Sequence, residues 1–337
     1  MRPAARYRAR LVRSESIHRA AHRTGLHPPG PTRWDDELLN IFGIPEAWLP
    51  DVRASSGIFG STAGCGKLAA GVPVASLIGD SHAALFGHAA SAPGAVKATY
   101  GTGSSLMTPV DSPIASGRGL STTIAWSVPG CVRYALEGNI TNTGGAVQWL
   151  ADFLGLAGGA EEAATLAASV PDACGVYIVP ALSRLGAPHW DAGARGLICG
   201  LTRGATRAHV AKATLDAIAY QVFDVFEALC QDAEISARAL YADGGASRND
   251  RLMQFQADIL GSPVIRAAST DLSAIGAAWL AGLAIGYWKS LEELEGLPRQ
   301  TARFEPKMTD TRRKQLIRGW RDALGRSTSK PLADGLG

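Results

Sequence analysis

One acid and three glycine turns are the groups in this 337-residue chain whose types and spacing could do chemistry: Gly79-Asp80, Gly101-Thr102-Gly103, Gly144-Gly145 and Asp243-Gly244-Gly245. A carboxylate delivered to the start of a helix can take a proton from a hydroxyl. Glycine lets backbone approach a ligand closely, and successive N–H groups with a threonine hydroxyl can cradle phosphate oxygens. Each residue also has a plainer reading. Asp80 could be a helix N-cap, and the glycines could simply permit tight turns.

Other chemistry-bearing strings fail on spacing. Gly64-Cys65-Gly66-Lys67 looks like the end of a phosphate-binding loop, but Ser61 stands where the loop needs glycine and Leu68 where it needs a metal-holding hydroxyl. It reads as an ordinary turn. Asp80-Ser81-His82 are adjacent, so their side chains diverge and cannot relay a proton among themselves. The seven histidines form no HExxH or other close ligand pair, so no protein-held metal is expected, and His82 and His88 are read as packing or surface residues.

The elements that must position these groups follow from hydrophobic periodicity. Gly71–Ile78 reads as a strand handing Asp80 to a helix. Val96–Tyr100 and Leu106–Val110 flank the Gly101 turn, and Ser121–Val128 and Val132–Leu136 flank Pro129-Gly130, so two hairpins in a mixed or antiparallel sheet are expected. Leu215, Ile218, Val222, Val225, Phe226 and Leu229 recur at helical spacing, with Thr206 as N-cap. Beyond them come a strand (Ala239–Ala242), a helix (Asn249–Leu260), a strand (Pro263–Ile265), a buried helix (Ser273–Trp288) and a surface helix (Thr309–Leu324). The class is α/β.

Composition narrows the function classes. With 46% hydrophobic and 19% charged residues the chain can build a core of domain size. Its longest uncharged apolar run, Leu272–Trp288, has 17 residues, short of the roughly 20 a spanning helix needs. Five scattered cysteines without a CxxC pair, and no signal-peptide pattern, point to reduced thiols in a cytoplasm. Residues 1–33 hold eight Arg and one acid, and close on Pro28-Pro29-Gly30-Pro31, so they read as a basic flexible leader. The remaining residues carry a net charge of 25 − 29 = −4 and call for neither nucleic acid nor membrane.

Taken together, WDDELLNIFGIP, GDSHAALFGH, KATYGTGSS, EGNITNTGGAVQWL, VPALSRLGAPHWDAGARGLICGLTRG, DGGASRNDRLMQFQADILG and AIGAAWLAGLAIG resemble the FGGY family of carbohydrate kinases, its glycerol kinase branch most of all, from about Trp34 to Trp320. Two of these strings, GDSHAALFG and APHWDAGARG, argue against other actin-like ATPases. The resemblance implies a ribonuclease-H-like, actin-like ATPase fold, here essentially the C-terminal nucleotide-binding lobe plus the end of the N-terminal lobe. It divides the chain into the leader 1–33, an N-terminal-lobe remnant 34–88 with the catalytic acid, a nucleotide-binding domain 89–290 and a C-terminal helix and tail 291–337.

The resemblance also implies ATP- and Mg²⁺-dependent phosphotransfer to a hydroxyl of a small polyol or sugar. Asp80 matches the general base. Gly101, Thr102 and Gly103 match the turn at the β- and γ-phosphates, Gly144 and Val147 the adenosine side, and Gly244, Gly245 and Asn249 the ADP-binding turn and helix start. Asp80, Ser81 and Ser105 fall at the acceptor. Trp190 and Asp191 read as structural.

Two departures enlarge and hydrate the acceptor end, because Ser81 stands where glycerol kinases usually carry Gln and Ser105 where they usually carry Phe. A larger polyol or sugar therefore fits as well as glycerol. Nothing before Trp34 contains the family's DxGTTS loop or its polyol-holding residues, which leaves two expectations: a working kinase, or a truncated remnant that binds ADP or ATP, or pairs with a separate N-terminal lobe, without turnover. An apolar wall bared by a missing lobe would favour self-association into homo-oligomers.

Overall fold

The computed structural model describes residues 34, 36–88, 94–269 and 271–329; the expected leader lies outside them. In chain order the elements are α1 (Asp36–Phe42), β1 (Ser56–Cys65), β2 (Leu68–Ser76), α2 (Asp80–Gly87), β3 (Ala95–Tyr100), β4 (Ser104–Val110), β5 (Ser121–Val128) and β6 (Cys131–Ile140). There follow α3 (Gly144–Leu154), α4 (Gly159–Ala168), β7 (Tyr177–Val179), β8 (Leu197–Cys199), α5 (Arg207–Asp232) and β9 (Ala239–Asp243). The chain continues through α6 (Asp250–Leu260), β10 (Val264–Ala267), α7 (Leu272–Ala284), α8 (Leu291–Glu295), β11 (Thr301–Phe304) and α9 (Asp310–Ser327).

Seven strands form one mixed sheet in the order β11-β10-β9-β3-β4-β6-β5. β3, β9 and β10 run parallel, and the expected hairpins supply the antiparallel half through β3–β4 and β5–β6. The period of two along β3 sends Val96, Ala98 and Tyr100 to one face and Ala95, Lys97 and Thr99 to the other. The first face forms the main core with Ile218, Val222 and Leu229 of α5, Leu252 and Met253 of α6, and Trp320 and Leu324 of α9. On the second, Ala95, Met107, Trp126 and Ala135 meet Leu85 and Phe86 of α2, Leu280 of α7 and Leu294 of α8.

α5 is the long helix that the periodicity predicts, and Thr206 is its N-cap: the Thr206 N–H donates to Nδ1 of His209, 3.0 Å away. α7 departs from expectation. It stops at Ala284, and only Leu272, Gly276, Leu280 and Gly282 are buried; it packs on the β1–β2 hairpin, whose Ser56 and Ser76 hydroxyls donate to the Leu280 and Ala277 carbonyls at 2.8 Å, and crosses α2. Glycine is required at that crossing, since a Cβ on Gly87 would lie 2.6 Å from the carbonyl of Leu272.

The expected strand before Asp80 does form, but as half of a projecting hairpin, β1–β2, rather than as part of the main sheet. Ile58, Leu68, Val72 and Val74 of this hairpin are exposed. Its loop is Gly66-Lys67, so the Gly64–Lys67 string is the turn it was read to be. α3, α4, α8, β1, β7, β8 and β11 had no counterpart in the sequence reading. Among the described residues no helix is long and apolar enough to cross a membrane.

Candidate functional site

Three of the glycine turns meet at the C-terminal ends of β3 and β9, the edge at which open α/β sheets bind ligands. Gly144 N–H donates to the carbonyl of Gly101 at 3.0 Å, and the N–H groups of Thr143 and Gly145 donate to that of Thr102 at 3.0 and 2.9 Å. The tip of the β3–β4 hairpin is thus stitched to the start of α3. Side chains would push these backbones apart: a Cβ on Gly144 would lie 2.6 Å from the Gly101 carbonyl oxygen, and one on Gly103 2.5 Å from that of Ile140.

Gly244 completes the arrangement from β9. Its φ of +89° is a left-handed conformation that glycine tolerates, and a Cβ there would sit 2.5 Å from the carbonyl oxygen of Tyr100. Packing consumes the inner glycines and leaves Gly101, Thr102 and Gly245 exposed at the rim. A Cβ on Gly245 would meet nothing within 4 Å, so the backbone there faces open space. Asn249 is the N-cap of α6, its Oδ1 accepting from the Leu252 N–H at 3.1 Å. Val147 is placed differently from the others: its side chain is buried in the main core.

Asp80 is the first residue of α2 and exposed; the cap is Gly79, which has no side chain, so the plain N-cap reading does not hold. Its Oδ1 accepts from the Ser81 N–H at 2.6 Å, and its carbonyl accepts from Oγ of Ser273 at 2.8 Å. Ser81 is half-buried, and its carbonyl accepts from Nζ of Lys97 at 3.1 Å. Ser105 is buried on β4 and donates to Oε1 of Glu137 at 3.3 Å.

Beneath α2 lies a polar cluster that the sequence reading missed. Lys97 of β3, Glu137 of β6 and Asp243 of β9 point from the sheet toward α2, all buried, and His88 closes the cluster from the C-cap of α2. Nε2 of His88 donates to Oδ2 of Asp243 at 2.7 Å. This corrects the view of His88 as a packing or surface residue. Burial lowers the Lys97 pKa, opposed by the charges of Asp243, Glu137 and Asp80. Burial also lowers that of His88, against the pull of Asp243. Asp243 is pushed up by burial, yet the His88 hydrogen bond and Lys97 hold it below the ordinary carboxylate value. A usable signal existed: Lys97 interrupts the alternating apolar strand Ala95–Tyr100, where a solvated lysine has no place.

Trp190, expected to pack, is exposed, whereas Asp191 is buried among hydrogen bonds. The Trp190 indole donates to the carbonyl of Gly119. Asp191 accepts from the Gly193 and Ala194 N–H groups at 2.8 and 3.0 Å and from the Ser329 N–H at 2.7 Å, pinning the chain that follows α9. With the Ser329 hydroxyl as the largest cause, these bonds lower the Asp191 pKa to about 2.

Residues 96–285 match the C-terminal domain of the FGGY family of carbohydrate kinases, and residues 21–87 match its N-terminal domain. The second match begins inside the segment read as a leader. Glycerol kinase from Burkholderia ambifaria is 51% identical over 305 residues, which cover 90% of this chain and 61% of that protein. Glycerol kinase from Caldanaerobacter subterraneus subsp. tengcongensis is 49% identical over 310 residues, 91% of this chain and 62% of that one. The chain therefore spans about three-fifths of the length of these relatives. Among solved structures, Plasmodium falciparum glycerol kinase with ADP superposes with a TM-score of 0.79 at 32% identity, covering 89% of this chain and 60% of that one. A ligand-bound xylulose kinase from Lactobacillus acidophilus superposes at 0.75 with 23% identity, over 90% and 63%, and speaks for the fold alone.

Proposed function

The chain belongs to the FGGY family of carbohydrate kinases, and from that premise we propose that it transfers the γ-phosphoryl group of ATP to a hydroxyl of a small polyol or sugar. The observation that carries this reading is the convergence of the Gly101–Gly103, Gly144 and Gly244 turns on one rim of a sheet whose α2 face presents the exposed Asp80.

Each residue then has a physical task. Asp80 takes the acceptor's proton as the hydroxyl attacks, a role that needs an accessible carboxylate. The Gly101–Gly103 turn, closed by the Gly101 N–H on the Gly103 carbonyl at 2.9 Å, presents the backbone and hydroxyl of Thr102 and the Gly103 N–H to the terminal phosphates, and Gly245 lets the nucleotide lie against the backbone before α6. Gly144 and Gly244 hold these turns in register, and Asn249 fixes the start of α6. Ser81 and Ser105 border the acceptor, glycerol or a larger polyol.

Both implied ligands fit the residues present. The open space over Gly245 suits a nucleotide. Among the described residues no group of three His, Cys, Asp or Glu is placed to hold a metal ion, and the exposed carboxylate of Asp80 is the kind of donor expected for a Mg²⁺ carried largely by phosphates and water. When bound, that ion neutralises charge on the phosphates.

The test is acceptor-dependent ADP release from Mg-ATP, with glycerol first and then tetritols, pentitols, pentuloses and hexoses. Asp80→Asn should lower turnover by about 10²–10⁴-fold with an unchanged melting temperature and nearly unchanged ADP affinity. Equal loss of turnover and ADP affinity would give Asp80 a structural role. The competing reading is a nucleotide-binding chain that does not itself turn over. Wild-type protein that binds ADP but releases none from ATP would favour it.

A further inference from the structure

α2 is only eight residues long, yet it is gripped at both ends from the sheet below. At its start Nζ of Lys97 donates to the carbonyl of Ser81 at 3.1 Å, one residue after Asp80. At its end His88 donates to Asp243 at 2.7 Å. Both grips arise from residues next to the nucleotide-side turns: Lys97 lies four residues before Gly101 on β3, and Asp243 immediately precedes Gly244 on β9. The two strands are parallel neighbours, with Thr99 opposite Asp243.

Lys97 is fully buried and Asp243 nearly so, at 0% and 3% relative exposure. Solvation alone does not account for a lysine there; a methionine would fill the same strand position without removing an ammonium from water. What the ammonium adds is a directed bond to the first turn of α2 and attraction to carboxylates on three elements, Asp243, Glu137 and Asp80.

Resting on the kinase reading above, we propose that Lys97 is a positioning residue: its buried ammonium fixes the first turn of α2, and so the Asp80 carboxylate, relative to the phosphate turns at the ends of β3 and β9. Lys97 touches no reacting atom in this assignment. Misplacing a reacting group by about an ångström can cost 100-fold in rate, so the effect falls on turnover rather than on nucleotide affinity.

The experiment uses the full chain and three readouts: kcat and KM for Mg-ATP, ADP affinity, and hydrogen–deuterium exchange of the amides of residues 79–88. Lys97→Met is expected to lower kcat by about 10–100-fold, to leave ADP affinity and the ATP KM within about twofold, and to speed exchange in 79–88 selectively. Because Lys97→Met leaves Glu137 and Asp243 without their counter-charge, the Lys97→Met/Glu137→Gln double variant is measured beside it. A double variant that recovers the wild-type melting temperature but not kcat supports positioning. Recovery of kcat together with stability would reduce Lys97 to charge balance and overturn the proposal, as would unchanged exchange in 79–88 or failure of both variants to fold. If wild-type protein itself shows no turnover, the kinase reading fails, and the exchange readout still decides whether Lys97 holds α2.

Discussion

Along β3, Val96, Ala98 and Tyr100 face an apolar core closed by α5, α6 and α9, while the interleaved Lys97 and Thr99 face α2. The first face carries the main core from Leu136 on β6 to Val264 on β10, and its buried polar groups, such as Thr108, Gln256 and Asp224, are spent on hydrogen bonds to neighbouring groups. The second is mixed: Ala95, Met107 and Trp126 pack against Leu85 and Phe86, while Lys97 and Glu137 stand directly opposite Met107 on either side, with Asp243 and His88 buried beside them. Apolar burial stabilises without direction, whereas buried ions are tolerated only where they hold partners in fixed geometry. One sheet therefore separates a face that supplies stability from a face that supplies position.

Trp320→Ala should break this comparison most severely if the division is wrong. Trp320 is fully buried on the apolar face, stacks on Tyr220 at 5.3 Å between centroids and donates to Asp224 at 2.8 Å. Its truncation is expected to cost about 3–5 kcal/mol, read as a lowered denaturant midpoint, with ADP affinity unchanged in the protein that remains folded. Asp80→Asn should show the reverse pattern of lost turnover at full stability. A Trp320→Ala protein of normal stability with weakened ADP binding would mean that the apolar face also shapes the site.

How far the sequence disclosed each face follows from the same physics. β3 to β6 and α5 were legible because their apolar residues recur at periods of 2 and 3.6, and Thr206 announced the start of α5. The glycine turns were legible as turns, but that Gly144 and Gly244 serve backbone-to-backbone approach, while Gly245 opens to a ligand, depends on long-range packing that no local pattern encodes. Val147 illustrates the limit from the other side, since a residue matched to the family's site is turned into the core. α3 and α4 went unseen because their starts are glycine-rich: α4 has Gly158 at its N-cap, and the Thr143 at the N-cap of α3 makes no capping bond, its hydroxyl donating instead to the Gly101 carbonyl at 3.1 Å. The charged cluster escaped because its members come from β3, β6, β9 and α2, and only the sheet order brings them together.

Gly244 and Gly245 sharpen the comparison at a smaller scale, within one turn. Gly244→Ala forces a side chain into a φ of +89° and against the Tyr100 carbonyl, a strain of about 1–3 kcal/mol, so melting temperature and ADP affinity should fall together. Gly245→Val meets open space, so stability should change by no more than about 0.5 kcal/mol while ADP binding weakens by steric exclusion. Calorimetric titration with ADP beside thermal melts distinguishes the two. Equal behaviour of both variants would show that Gly245 is another packing glycine.

The smallest effect expected is on the pH dependence of stability, through His88. Burial holds its pKa below the ordinary 6.5, against the pull of Asp243, so the folded chain keeps the imidazole neutral while the unfolded chain takes up a proton near pH 6.5. The stability contributed by this group is complete above the unfolded value and is lost as pH falls below it, with a slope that one proton limits to about 1.4 kcal/mol per pH unit. Asp243, itself held low, stays ionised through this range and keeps accepting the hydrogen bond. His88→Gln retains an N–H donor for Asp243 but cannot titrate, so melts between pH 7 and 5 should decline less steeply than in the wild type. Equal slopes would mean that His88 titrates alike in the folded and unfolded chains, and a steeper decline in the variant than in the wild type would mean that the folded imidazole is charged and balances the cluster's carboxylates as Lys97 does.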